Sequence, residues 1–308
     1  MERVARLAAH LASASAARGS GETAALSAHE TSGSAPTPRE VLTRVEDGVG
    51  VVTLSRPARG NAFTAQMQAE YFDALDAMDA NPAVTAVVVT GAGKQFCVGA
   101  DMDMLSAGSK SSSGPTVASH RDVAQVRAAE MRKPLVCAVN GAAAGLGFVT
   151  AVMADVRFAC KTAKFTTAFA RRGLVAEHGV AWVLPRVVGQ ARALDLLMSS
   201  RVVLADEALA MGLVNFVSGD AESCVRDAVK YARDVGRLCS PAALAEIKRQ
   251  VYAEPVSLRQ DYARAADLMS RSFTHPDFAE GVASYVESRD PKFKGLAAGM
   301  IRDLARKA

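Results

Sequence analysis

The segment Leu135-Val136-Cys137-Ala138-Val139-Asn140-Gly141-Ala142-Ala143-Ala144-Gly145-Leu146-Gly147-Phe148-Val149 decides the fold class. Leu135 to Val139 is a continuous apolar run of strand length, closed by the turn pair Asn140-Gly141. Gly145 and Gly147 then open an apolar helix that runs to Met153, and Val156 to Ala159 reads as the next strand. Upstream, Val49 to Leu54 is a valine-rich strand introduced by Asp47-Gly48 and bounded by Arg56-Pro57. A helix is predicted from Asn61 to about Asn81, with Phe63, Met67, Phe72, Leu75 and Met78 on its apolar face. Ala86 to Thr90 is apolar enough to be buried on both faces, and a glycine turn, Gly91 to Gly93, follows it. Short strands alternating with helices make a wound α/β core.

Outside this core the chain changes character. Residues 1 to 38 are rich in Ala, Ser, Gly and Thr and are expected to be a disordered tail, because they offer little apolar surface to offset the entropy of ordering. Within it Val4, Leu7 and Leu11 could form one helix face beside Arg3 and Arg6, which leaves open a transit peptide or a plain extension. Ser106 to Ser119 reads as a Ser/Gly-rich loop, and His120 to Met131 as the helix leading into Leu135. The core is expected over 39–190, and a largely helical region over 191–308.

With 308 residues, half of them hydrophobic, the chain buries a sizeable core. Its net charge of +4, 36 basic against 32 acidic residues, is too small and scattered for a nucleic-acid surface. The five cysteines form no CxxC or Cys/His cluster, which argues against a disulfide scaffold or a structural zinc and suits a reducing compartment. No apolar run reaches the roughly 18 residues of a membrane span.

Six segments then occur in a telling order: Arg56-Pro57…Asn61-Ala62; Phe96-Cys97-Val98-Gly99-Ala100-Asp101; Asn140 to Gly147; Gly173-Leu174-Val175-Ala176-Glu177-His178-Gly179 with Leu184-Pro185-Arg186 and Gly189; Glu207-Ala208…Gly212-Leu213-Val214; and Arg289-Asp290-Pro291…Phe293. Together they resemble the crotonase superfamily of enoyl-CoA hydratases and isomerases, over about residues 41 to 295. The resemblance implies a spiral of β-β-α turns with C-terminal helices that pack between subunits of a trimer or hexamer. It also implies an acyl-CoA thioester substrate and no separate cofactor or metal. The compartment expected is the cytoplasm, or the mitochondrial matrix if the tail is a transit peptide.

The physical logic of the glycine segments stands beside the resemblance. A thioester enolate gathers negative charge on its carbonyl oxygen, and preorganised backbone N–H donors stabilise it, each worth ~10²–10³ in rate. Glycines let backbone approach a ligand closely, and a helix N-terminus favours negative charge; tight helix–strand packing is the other reading of Gly145 and Gly147. By resemblance the donors are the N–H groups of Ala100 and Leu146, and the Val98 carbonyl meets the CoA adenine. Arg56, Arg59, Lys292 and Lys294 are the phosphate candidates, with Arg171 and Arg172 facing either phosphate or a neighbouring subunit.

The acids decide the reaction. Family hydratases hold a water between two glutamates, and the matching positions here are Val149 and Phe169. Neither side chain accepts a proton, which disfavours hydration by that pair. Glu177 matches a position where several isomerases of the family place an acid. The reading is therefore a Δ3,Δ2-enoyl-CoA isomerase with one glutamate base, in an apolar surround of Val175, Val180 and Trp182. The alternatives are a hydratase or thioester hydrolase in which Glu177 activates water, or a catalytically silent scaffold. His178 is a weaker candidate to assist Glu177, and His120 reads as exposed. Asp101 reads as a helix cap, and Cys97 and Cys137 as core residues.

Overall fold

The computed structural model describes residues 38–103, 125–253 and 267–296. The expectations for the tail up to residue 37, the Ser106–Ser119 loop and His120 lie outside these residues, as does the first part of the helix expected from His120. Two strands open the core: β1 (Val41–Glu46), exposed along all but its first residue, and β2 (Val49–Leu54), buried along nearly its whole length. They pair antiparallel from Val41↔Leu54 to Glu46↔Val49, across the turn at Asp47-Gly48. Helix α1 (Ala65–Ala80) follows and buries Met67, Tyr71, Phe72, Leu75 and Met78. It starts four residues later than the apolar pattern implies. Asn61 is in a left-handed conformation (φ 57°), and Thr64 caps the helix by accepting from the Met67 N–H.

The chain continues through β3 (Ala86–Gly91), a short helix α2 (Arg127–Glu130), β4 (Leu135–Val139), β5 (Ala142–Ala144), α3 (Leu146–Val152), β6 (Val156–Cys160) and β7 (Lys164–Thr166). Then come α4 (Val180–Val188), α5 (Gln190–Ser199), β8 (Val203–Leu204), α6 (Ala205–Ala210), β9 (Phe216–Ser218), α7 (Ala221–Leu238), α8 (Pro241–Tyr252) and α9 (Pro276–Val286). The large sheet runs β1-β2-β3-β4-β6-β9, parallel from β2 onward. The small sheet runs β5-β7-β8. Parallel bridges Phe63↔Ala100 and Cys97↔Ala143 extend the pairing of that second layer back along the chain. Strands β2, β3, β4 and β6 of the large sheet are thus each followed by a segment in the small layer. This is the β-β-α spiral.

The region after residue 190 is not purely helical. Phe216–Ser218 pairs with β6 and completes the large sheet, and Val203–Leu204 pairs with β7, so the core does not end at residue 190. These strands are only two or three residues long, too short for an alternating pattern to announce them. Helix α7 lies across β2, β3, β4, β6 and β9 and buries Cys224, Ala228 and Ala232 against them. Asp220 and Ser223 form a reciprocal capping box at its start. Helix α8 is tied down by a buried Lys248, whose Nζ donates to the Ala128 carbonyl at 2.9 Å and the Asp155 carboxylate at 2.8 Å.

The core is dense where the layers meet. Phe63, Phe96, Phe148 and Phe165 are all buried, each stabilising the fold by about 1.5–3 kcal/mol. Gly147 of α3 sits directly on the preceding layer. A Cβ there would stand 2.1 Å from the Cys97 carbonyl oxygen, which is backbone and cannot swing away. Gly147→Ala is therefore expected to lower the unfolding free energy by about 1–3 kcal/mol, or more if α3 shifts. Chemical denaturation checks it, and an unchanged midpoint contradicts the packing account.

Candidate active site

Two buried asparagines shape the loops at the ends of β2, β3 and β4. The Asn61 amide donates to the carbonyls of Ala92, Gln95 and Phe96, while its oxygen accepts from the Arg56 N–H. The Asn140 amide donates to the carbonyls of Gly91 and Gly93, and its oxygen accepts from the Gly91 N–H and the Thr90 hydroxyl. Satisfied in this way, a buried amide acts as a staple rather than a penalty. The staples carry the Phe96–Asp101 segment against β5. The Cys97 N–H donates to the Ala142 carbonyl and the Ala144 N–H returns to the Cys97 carbonyl, both at 3.0 Å.

That contact brings two glycines together. Gly99 (φ 113°) and Gly145 (φ 50°) face each other so closely that a Cβ on Gly145 would stand 3.7 Å from the Gly99 Cα. Both conformations lie in the region that favours glycine. The residues that follow are Ala100 and Leu146, and both line one cleft of about 400 Å³. Among the described residues neither N–H has an acceptor. Two free amides thus face one cavity, an arrangement able to bind an oxyanion.

The cleft is lined from two stretches of chain, by Arg59, Ala62, Val98 and Asp101 and by Thr167, Phe169, Arg172, Leu174 and Glu177. Among the described lining residues the acids are Asp101 and Glu177. Asp101 is locked: its carboxylate accepts from Arg56 at 2.9 Å, Arg59 at 3.1 Å and the Asp103 N–H at 2.9 Å. The Asp103 amide and then the arginines hold the Asp101 carboxyl below the usual carboxylate range. Among the described residues Glu177 has no arginine or lysine partner, and its side chain is 43% exposed. The expected apolar surround is only part formed: Val180 is fully buried, but Val175 is 79% exposed and Trp182 faces outward with Arg186 stacked on its ring. His178 adopts a left-handed backbone (φ 55°) that folds its ring back to 3.6 Å from the Glu177 carboxylate, so these neighbours do not point apart.

A profile of the family described as enoyl-CoA hydratase/isomerase matches residues 44–296. The chain is 34% identical to the enoyl-CoA hydratase AFT3-1 of Alternaria alternata, covering 80% of this chain and 83% of that protein. It is 32% identical to the 1,2-epoxyphenylacetyl-CoA isomerase of Escherichia coli K12, covering 83% and 98%. The crystal structure of an enoyl-CoA hydratase from Polaromonas sp. JS666 superposes with a TM-score of 0.75 at 30% identity, covering 82% and 99%. The chain belongs to the enoyl-CoA hydratase/isomerase family, within the crotonase superfamily.

Within this family the remaining sequence candidates separate clearly. Val149 and Phe169, where the resemblance places the hydratase glutamates, are both buried: Val149 lies in α3, and Phe169 lines the cleft. Val98 and Arg59 line the cleft, whereas Arg56 does not and lies beneath it. Lys292 and Lys294 are exposed and do not line it either. Gly295 beside them packs on the Pro82 carbonyl, ahead of β3 and so at the opposite end of the parallel strands. Burial pushes the Cys97 thiol up to about 12 and the Cys137 thiol well above its ordinary value, as suits core residues. The four-way pairing of Arg56, Arg59, Asp101 and Asp103 is what sequence reasoning missed: its members lie more than forty positions apart, without a local signal. Among the described residues no group of His, Cys, Asp and Glu could hold a metal, and no helix is long and apolar enough to cross a membrane.

Proposed function

We propose that the protein is an acyl-CoA double-bond isomerase of the Δ3,Δ2-enoyl-CoA type, with Glu177 as its single base and the amides of Ala100 and Leu146 as its oxyanion hole. The observation that carries this reading is that Glu177 is the one cleft acid, among the described residues, without an arginine or lysine partner. In this reading the thioester oxygen accepts from both amides. Glu177 takes a proton from C2, the electrons of that C–H bond enter the thioester, and a dienolate forms. The same carboxyl returns the proton at C4, moving the double bond from C3=C4 to C2=C3. The chemistry needs no metal or redox group, and CoA enters as part of the substrate. Val98 and Arg59 stand on the wall proposed for the CoA arm.

We also propose self-association, as a trimer or a multiple of it. Leu174, Val175, Leu194, Met198, Val202 and Leu204 present exposed apolar surface around α4, α5 and β8, while Leu196 of the same helix is buried in the core. Light scattering at micromolar concentration is expected to give a mass of at least three chains, and a stable monomer would overturn this part.

Glu177→Gln keeps the shape of the side chain and removes proton acceptance. Turnover of 3-enoyl-CoA is expected to fall by at least about two decades, while acyl-CoA affinity changes little. Parallel assays with 2-enoyl-CoA and with saturated acyl-CoA separate the isomerase from a hydratase or hydrolase using the same glutamate. Val149→Glu alone is expected to add no strong hydration, because Phe169 occupies the second carboxylate position. Isomerisation at near wild-type rate in Glu177→Gln would place the base elsewhere.

A further inference from the structure

Ala100 is held from one side by backbone alone. The Phe63 N–H donates to the Gly99 carbonyl and the Asp101 N–H donates to the Phe63 carbonyl, both at 2.8 Å, which turns the intervening Ala100 amide away from Phe63 and toward the cleft. On the other side the hold is ionic. Asp101, the next residue, is 3% exposed, and one of its oxygens accepts from Arg56 Nη1 while the other accepts from Arg59 Nη2 and the Asp103 N–H.

Arg56 is tied to this turn through its Nη1 and Nε atoms. Its Nη1 also donates to the Ala62 carbonyl at 2.6 Å, its Nε pairs with Glu40 at 2.9 Å, and its own N–H is held by Asn61. The side chain is 19% exposed and does not line the cleft. With Nη1 spent on a carboxylate and a carbonyl and Nε on a second carboxylate, the guanidinium keeps only Nη2 for a further acceptor such as a phosphate. Removing it would leave the Asp101 carboxylate buried, short of a partner and one residue from the amide that meets a developing negative charge.

We infer that Arg56 and Asp101 are positioning residues for the Ala100 oxyanion donor, with Arg56 neutralising the Asp101 charge behind it, rather than contacts to CoA phosphate. This rests on the proposed role of Ala100. The consequence is selective: loss of Arg56 weakens binding of an enolate more than binding of a neutral acyl thioester, whereas loss of a phosphate contact weakens both alike.

Acetoacetyl-CoA tests this directly, since its acidic C2 ionises to an enolate with its own ultraviolet band, independently of Glu177 turnover. The wild-type chain is expected to lower the apparent enolisation pKa of the bound thioester. In Arg56→Met that gain is expected to shrink by at least about tenfold in the enolate-to-ketone ratio, while affinity for butyryl-CoA holds within about threefold. Arg56→Lys, which keeps the charge and loses the fork, guards against a misfolded Met variant and is expected to fall between the two. Wild-type protein that leaves acetoacetyl-CoA un-ionised would overturn the oxyanion reading and this inference together. Ionisation unchanged in both variants would overturn the inference alone. An equal loss of acetoacetyl-CoA and butyryl-CoA would make Arg56 a phosphate contact after all.

Discussion

The cleft depends on backbone meeting backbone. Gly147 lies on the Cys97 carbonyl and Gly145 lies against Gly99, so two loops from successive turns of the spiral touch with no side chain between them. Every other feature of the site follows from that approach. The amides after Gly99 and Gly145 are left without internal acceptors because their neighbours are consumed by the bridge to Phe63 on one side and by the start of α3 on the other. Close packing of this kind is stiff, and stiffness is what keeps donors aimed before a ligand arrives. The asparagine staples at Asn61 and Asn140 serve the same end, fixing the carbonyl-rich loops that a less satisfied amide would leave to water.

Charge is distributed around the cleft in a way that separates support from chemistry. Asp101 is buried, paired and held below the ordinary carboxylate range, first by the Asp103 amide and then by two arginines. Its charge is therefore spoken for. Glu177 lines the same cleft from the segment between β7 and α4, half open to solvent and, among the described residues, without an arginine or lysine partner. Two acids of one cleft thus have different environments: Asp101 is paired with two arginines, while Glu177 has no arginine or lysine partner among the described residues. Val149 is buried in α3, and Phe169 is buried where it lines the cleft.

Much of this was legible in the sequence, for identifiable reasons. Val49–Leu54, Ala86–Thr90 and Leu135–Val139 are valine-rich and almost wholly buried, so local pattern and tertiary fate agree. The glycine segments were readable because close backbone approach demands glycine whatever the surrounding fold. Strands of two or three residues, such as Val203–Leu204 and Phe216–Ser218, were hidden because pairing with a distant partner, not their own composition, makes them strands. The start of α1 was misplaced because apolar Phe63 belongs to a bridge with Ala100 rather than to the helix. Arg56 was legible as a motif member but not in its partners, since Glu40, Ala62 and Asp101 reach it only after folding. Trp182 and Val175 read as pocket lining by proximity to Glu177, yet the left-handed turn at His178 and the stack on Arg186 send them elsewhere.

The central claim is that the amides of Ala100 and Leu146 act on a single thioester oxygen. Backbone donors cannot be deleted by substitution, so the direct measurement is the vibrational spectrum of the ligand itself. An acyl-CoA carrying ¹³C at its thioester carbonyl, bound to the wild-type protein and examined by infrared difference spectroscopy, is predicted to show its carbonyl stretch shifted to lower frequency than in water, because two preorganised donors polarise the bond more strongly than solvent does. A bound ligand whose carbonyl stretch matches that of the free thioester would contradict the account.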